Sequence, residues 1–448
     1  MPLPWWERRF RLSICLALVL AAQTHAQIRL IEIDPGHSHL SSLHSAMPPG
    51  ISDVVDIYSP LTPELTAHLA AITRNNSRAE RQTHWTVRLF AGPDYMAQFE
   101  KEPPGAIVAL SGRNGANIGY IEAALRAGQH VFADKPLIVD PEAFPRFEAA
   151  MKLAEEKHLA VMDWMTLRED PAYRLMRDLV QEEPVFGKPL PGSVDHPSVQ
   201  LENLHALLKY SGTIPQKRPA MFLDNRQQGE GMADVGTHTA DLAQWALFPG
   251  EKISYRTDIK MLKADHSALT LTLEQFIRLT GETTWPAFLK DRLVDGKLID
   301  YTNGTCVYTL KGVHVRLKVN WQYEAGPGTG DSYFASFLGS RALVELRAGP
   351  NEKFTPEVYV TPVTDSPAWE NNLQTLLTKL GLSCEKRLGS FRIFRSKPDR
   401  APDGLQKLLL AFAGYVRDWR SFPEYERYNL LAKYYITTSA VAMANATR

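Results

Sequence analysis

From residue 28 onward, short apolar runs alternate with amphipathic stretches. Ile28 to Ile33 has the compact apolar pattern of a buried strand, and the polar loop Asp34-Pro35-Gly36-His37-Ser38-His39 follows it. Val54 to Tyr58, Thr86 to Phe90, Ala106 to Leu110, His130 to Ala133 and Leu159 to Met162 repeat the strand pattern. Helical spacing lies between them at Pro63 to Ile72, Ile118 to Ala127 and Pro141 to Lys157, with Pro171 to Glu182 after the last strand. Gly128 is a helix stop and Pro141 a first-turn proline. Strand–helix units of this length predict a parallel, doubly wound sheet whose ligands bind beyond the carboxyl ends of its strands. The Asp34 loop, the Ser111-Gly112-Arg113-Asn114 loop and Lys135 all fall at such ends, so they are expected to line one cleft.

After about Val185 the pattern changes. Alternating runs at Thr305 to Leu310, Val313 to Tyr323, Tyr333 to Leu338 and Ala342 to Leu346 predict an antiparallel sheet with one buried face. Helices are expected at Asn203 to Tyr210, Asp234 to Trp245, Leu273 to Leu279, Ser366 to Leu380, Gly404 to Tyr415 and Tyr425 to Ala442. The expected class is therefore α/β. An N-terminal Rossmann-like doubly wound parallel sheet, residues 27–165, precedes an α+β domain with a large, mainly antiparallel sheet, residues 166–448.

At 448 residues the chain exceeds one ordinary domain, and 44% hydrophobic with 22% charged residues supplies ample core. Its 50 basic and 50 acidic residues argue against a nucleic-acid surface. Arg8, Arg9 and Arg11 precede the apolar run Leu12 to Ala22, and Thr24-His25-Ala26 offers a cleavage site before Gln27. Residues 1–26 thus read as a secretory signal peptide, too short to span a bilayer. The expected location is secreted or periplasmic, with no stable membrane insertion after cleavage. Arg8-Arg9-Phe10 loosely resembles a twin-arginine signal. Cys306 and Cys384 remain in the mature chain; an oxidising compartment permits their pairing, and their spacing carries no signature. The aromatic-rich stretch from Tyr415 to Tyr435 reads as helix packing, with homo-oligomerisation the other reading.

The richest candidate chemistry lies in Gly229 to Trp245, GEGMADVGTHTADLAQW. In a helical register Asp234, His238 and Asp241 share one face, an acid/base set entered through glycines that let a ligand approach. Trp164, Trp245 and Trp321 read first as core, and of the three Trp164, after Asp163 at a strand end, is the candidate to touch a substrate. The first loop suggests a different class, because Ile33-Asp34-Pro35-Gly36-His37-Ser38-His39 resembles the strand-end H-x-H of metal-dependent amidohydrolases. A hydrolase using His37 and His39 would need eight strand–helix units and further ligands. The antiparallel second half argues against it, so no metal is expected.

Two segments resemble the glucose–fructose oxidoreductase / inositol dehydrogenase (Gfo/Idh/MocA) family. They are Ala123 to Leu137, AALRAGQHVFADKPL, and Gly231 to Asp241, GMADVGTHTAD. Gln228-Gly229-Glu230-Gly231 and the Trp321-Gln322-Tyr323-Glu324-Ala325-Gly326-Pro327 segment resemble a branch with its own oxidoreductase C-terminal domain. The resemblance implies an NAD- or NADP-dependent oxidoreductase acting on a sugar, glycoside or polyol. It places Lys135, Asp234 and His238 as the catalytic group, with Asp234 orienting the imidazole. Asp241 and Trp164 join them as substrate contacts. The cofactor residues it implies are Asp34, Gly36, His37, His39, Ser59, Ser111, Arg113, Asn114 and Lys135.

The fingerprint departs from the family. Asp34 and His39 stand where G-x-G-x-x-G has its first and third glycines, and only Gly36 is retained. Tyr58-Ser59 lacks the acid that usually holds an adenosine ribose. Two other readings keep the fold: an NAD-dependent glycosidase that oxidises its sugar transiently, and a cofactor-free inactive or sugar-binding relative.

Overall fold

In the computed structural model, which describes residues 27–212, 214–326, 328–395 and 404–447, the apolar runs of the first half become six parallel strands. They are β1 (Ile28–Ile33), β2 (Ile51–Ser59), β3 (Thr86–Ala91), β4 (Ile107–Leu110), β5 (His130–Ala133) and β6 (Val161–Asp163). Their order, β3-β2-β1-β4-β5-β6, reverses between β1 and β4, which opens a crevice beyond the carboxyl ends of those two strands. Every residue of β4 and β5 is buried, because helices cover both faces of the sheet. Among those helices are α1 (His39–Leu43), α2 (Pro63–Ser77), α3 (Asn117–Arg126) and α4 (Phe144–Glu156). The Thr62 side chain caps α2 by accepting from the Leu65 N–H, and Pro63 takes its first turn.

α5 (Pro171–Val180) leads into the second sheet. Its strands are β7 (Val199–Ser211), β8 (Ile214–Gln216), β9 (Ile259–Leu271), β10 (Leu293–Val294), β11 (Lys297–Leu310) and β12 (Val313–Glu324). β13 (Ser332–Leu338), β14 (Ala342–Ala348), β15 (Glu357–Pro362), β16 (Ser383–Arg387) and β17 (Ser390–Phe394) complete it. The main path runs β10-β11-β12-β7-β13-β14-β15-β17-β16, with β8 on β7 and β9 on β11. Only β7 and β12 pair in parallel. The helix expected at Asn203 to Tyr210 is instead part of β7. Its Leu-rich composition suits a helix, but ladders to β12 on one side and β13 on the other override local propensity.

The expected helix from Asp234 is two helices, α6 (Gly231–Asp234) and α7 (Gly236–Leu247), joined at Val235. α6 lies directly on β11: a Cβ at Gly231 would come 1.8 Å from the Thr302 carbonyl oxygen. α8 (Leu273–Thr280) and α9 (Pro367–Leu380) follow as expected, α8 with a capping box from Thr272 and Gln275.

The last two helices return to the first sheet. α10 (Gly404–Arg417) sends Leu405, Leu409 and Phe412 into a core with Leu30, Leu40, Phe132 and Trp164. α11 (Glu424–Asn445) gives Leu430 and Tyr434 to the core on the sheet's other face, and Ile436, Ala440 and Val441 to the second domain. At that junction the buried Lys433 ammonium sits 3.0 Å from Asp163 Oδ1 and 2.9 Å from Asp241 Oδ1. Arg168 closes the network on Asp241 and Glu426, and the Tyr434 hydroxyl donates to Asp163.

Cys306 on β11 and Cys384 on β16 are both free, near opposite ends of the sheet, so the pairing that compartment and composition permit is not formed. The expected signal peptide lies outside the described residues. Among the described residues no helix is long and apolar enough to cross a membrane.

Candidate functional site

A cavity of about 580 Å³ opens where the carboxyl ends of the parallel strands face the second sheet. His37, His39 and Lys135 line it from the first domain, and Gln228, Asp234 and His238 from the second. Lys135, two residues beyond β5, points Nζ to within 2.5 Å of Asp234 Oδ1. Gln228 Nε2 donates to the other Asp234 oxygen at 3.1 Å. Burial alone would raise the Asp234 carboxyl, but Lys135 and Gln228 hold it below its ordinary value. Burial, then the Lys135 charge, pushes the His238 imidazole down to about 3, so it is neutral at ambient pH. The three residues of the catalytic expectation therefore share one cavity wall. One detail differs: Asp234 grips Lys135 rather than orienting His238, whose Nδ1 has no hydrogen-bond partner among the described residues.

Two expected substrate contacts lie elsewhere. Asp241 is buried in the junction network with Arg168 and Lys433, so it orders the domain interface. Trp164 is 2% exposed and packs against Phe132 in the core under α10. Trp321 belongs to the core as expected and also lines the cavity, with Arg218, His205 and Asp331 nearby on its wall. Nothing in the sequence pattern marked Arg218, His205 or Asp331. They come from β7, the segment after β8 and the approach to β13, which only the sheet brings together.

At the β1/β4 crevice the degraded fingerprint has its own chemistry. Asp34 adopts the left-handed conformation (φ 47°) that the first glycine would otherwise supply, which aspartate tolerates better than most residues. Its charge is met by Arg113 Nη1 at 2.7 Å and the Tyr120 hydroxyl at 3.1 Å, and Arg113 also reaches Glu64. Gly36 and Gly112 face each other: a Cβ on Gly112 would lie 2.1 Å from the Asp34 carbonyl oxygen, and one on Gly36 3.3 Å from Gly112 Cα. The crevice floor is thus bare backbone beside one guanidinium shared by two carboxylates, and its two glycines leave the close approach that a dinucleotide pyrophosphate needs. Three expected cofactor side chains are instead buried in internal bonds. Ser59 Oγ donates to the Pro60 carbonyl, Ser111 Oγ to Asp134, and Asn114 Nδ2 across the domains to the Gln228 carbonyl.

His39 Nδ1 lies 2.9 Å from Asp134 Oδ2. His39 is half-exposed, and the charge and hydrogen bond of the Asp134 carboxylate hold its pKa above the ordinary value. His37, His39 and Asp134 each present a potential metal-ligand atom within 4.8 Å of the others, the one such group on the cavity among the described residues. The amidohydrolase alternative also required a barrel, and the open six-stranded sheet followed by a separate second sheet excludes that architecture. His44 lies apart from this group, bonded at 2.6 Å to Glu32, which also accepts from His68.

A Rossmann crevice facing a cavity with a Lys–Asp–His wall defines a two-domain dinucleotide oxidoreductase. The family model described as "Oxidoreductase family, NAD-binding Rossmann fold" matches residues 55–163, and "Putative oxidoreductase C terminal domain" matches residues 175–445. The chain belongs to the Gfo/Idh/MocA oxidoreductases that carry this C-terminal domain, and it is an NAD(P)-dependent enzyme of that type. It is similar to a crystal structure described as a "putative oxidoreductase" from Parabacteroides merdae, at 32% identity and a TM-score of 0.90 over 94% of this chain and 98% of that one. An oxidoreductase structure from Thermotoga maritima aligns at 16% identity and TM-score 0.61, over 94% and 99%. KijD10, a 3-ketoreductase from Actinomadura kijaniata in complex with NADP and TDP-benzene, aligns at 16% and 0.56, over 92% and 96%. No curated protein matches the chain.

Proposed function

We propose that this enzyme interconverts a secondary hydroxyl and a ketone on a sugar, glycoside or polyol bound in the inter-domain cavity. The observation that carries the reading is Lys135, held from one domain against Asp234 of the other, with a neutral His238 on the same wall. Gly36, Gly112 and Arg113 would hold the cofactor's pyrophosphate, with His37 and Lys135 toward its reactive end. When bound, the nicotinamide accepts or supplies the hydride. Lys135 Nζ contacts the reacting oxygen and stabilises the charge that develops there. Asp234 fixes the Lys135 ammonium and Gln228 fixes Asp234. His238, being neutral, is the group open to receive the hydroxyl proton during oxidation. With its pKa held near 3 it keeps no proton at ambient pH, so in oxidation it passes the proton on to solvent and in reduction it draws one from there.

The test is to load the purified protein with NAD or NADP and follow nicotinamide absorbance against a panel of sugars and polyols. Turnover in wild type that is lost in Lys135→Met, with cofactor binding retained, supports the reading. Turnover that survives the substitution overturns it. Measuring aglycone release alongside separates net oxidation from a closed glycosidase cycle. Export belongs to the same proposal and rests on the sequence of residues 1–26.

A further inference from the structure

The cavity carries a second set of polar groups that hydride transfer does not use. Four cations line it, Lys135, Lys209, Lys217 and Arg218, against two carboxylates, Asp234 and Asp331. Lys135 is answered by Asp234 and Lys209 by Asp331. Arg218 has no carboxylate within 4.0 Å among the described residues. Its Nε donates to the Leu207 carbonyl at 2.6 Å and its Nη2 to the Ala206 carbonyl at 3.2 Å. The guanidinium lies 4.3 Å from the Phe222 ring centre and 5.4 Å from that of Trp321. Burial pushes its pKa down, although arginine stays charged at any ordinary pH. Asp234 and Asp331 act on it only from beyond contact, so its desolvation is incompletely offset, and a ligand oxyanion would offset the rest. Beside it, His205 stacks on Trp321 at 4.9 Å with Nδ1 2.9 Å from Asp331 Oδ2. Asp331 thereby fixes Nδ1 as a donor. His205 Nε2, buried with no partner, is left as an acceptor for a ligand hydroxyl.

We propose that Arg218, seated against Phe222 and Trp321, forms a subsite for an oxyanion carried by the substrate, with His205 taking a neighbouring hydroxyl, so that the enzyme acts on an acidic sugar. The shared chemistry is a planar or tetrahedral oxyanion that a guanidinium fork can grip through two hydrogen bonds, either the carboxylate of a uronic acid or a phosphate ester. This rests on the reading of the cavity as a sugar-oxidoreductase site.

The experiment uses the cofactor-loaded protein and four probes: glucuronate, glucuronate methyl ester, glucose 6-phosphate and glucose. Binding is read by titration and hydride transfer by nicotinamide absorbance. Glucuronate or glucose 6-phosphate should bind about tenfold or more tightly than its neutral counterpart, since a charge-assisted pair contributes at least that factor. The carboxylate–ester comparison is made on wild type, so it does not depend on any variant folding. Arg218→Met should bring the acidic-to-neutral ratio towards one, and Arg218→Lys should restore it in part. Equal binding of acidic and neutral probes to wild type overturns the subsite. So does a loss in Arg218→Met that is the same for both classes. Acidic preference without turnover on any probe leaves the subsite standing and sinks the redox reading. Turnover without acidic preference does the reverse.

Discussion

Lys135 and Asp234 reach each other from different domains, so the charge that meets the substrate oxygen exists only when both are in place. Lys135→Met should lower turnover by about 10²–10³-fold, the usual range for losing a donor that stabilises developing charge on oxygen. Cofactor affinity, measured by fluorescence titration, should change little by comparison. His238 adds a pH dependence of defined sign. Its folded pKa, about 3, lies below the ordinary 6.5, so the unfolded chain takes up a proton first as pH falls. The stabilisation is complete above pH 6.5 and is lost as pH falls towards 3, by up to about 1.4 kcal/mol per pH unit. Urea unfolding of wild type and His238→Asn between pH 7 and about 4.5 should show a shallower acid slope in the variant. An identical slope would mean that the imidazole titrates normally. At this scale the sequence was informative where a motif names its residues, as with Lys135, Asp234 and His238. It misled where spacing alone assigned a partner. Asp241 shares a helical face with Asp234, yet Arg168 and Lys433, distant in sequence, claim it.

Among the elements, α11 ties together the two domains between which the cavity lies. Its Lys433 bridges Asp163, at the end of β6, to Asp241 on α7, so one ammonium joins both domains. Lys433→Met fills similar volume but leaves two buried carboxylates facing each other without their cation. A loss of about 3–5 kcal/mol in unfolding free energy is expected, read by chemical denaturation. A loss under 1 kcal/mol would show that Arg168 alone compensates the acids. Strands buried on both faces, such as β4 and β5, announce themselves as unbroken apolar runs. β7 does not, because Leu204 to Leu208 has a helix-forming composition and becomes a strand only through its two neighbours in the sheet. The helical reading passes over the break at Val235, although Gly236 follows it directly and lies so close to Met232 that a Cβ there would come 2.5 Å from its Sδ.

For the whole molecule, the two-sheet architecture could be read from the switch between strand–helix alternation and long alternating strands. The cavity's far equipment could not, because Arg218, His205 and Asp331 converge only after the second sheet is assembled. If the leader is removed as proposed, amino-terminal sequencing of protein recovered from an extracytoplasmic fraction should begin at Gln27. An intact Met1 in that fraction would refute it. The return of α10 has a further consequence, for the order in which the chain can fold. Phe132 and Trp164 are synthesised early, but their covering residues Leu405, Leu409 and Phe412 come from nearly the end of the chain. A nascent first domain therefore emerges with the part of one sheet face around Phe132 and Trp164 bare and waits through more than half of synthesis for its cover. A fragment of residues 27–165 should bind a hydrophobic dye strongly, and adding a peptide spanning residues 404–417 should suppress that signal. The crevice residues from Asp34 to Tyr120 are made early, but the sheet that carries them would gain its last covering only when α10 has arrived.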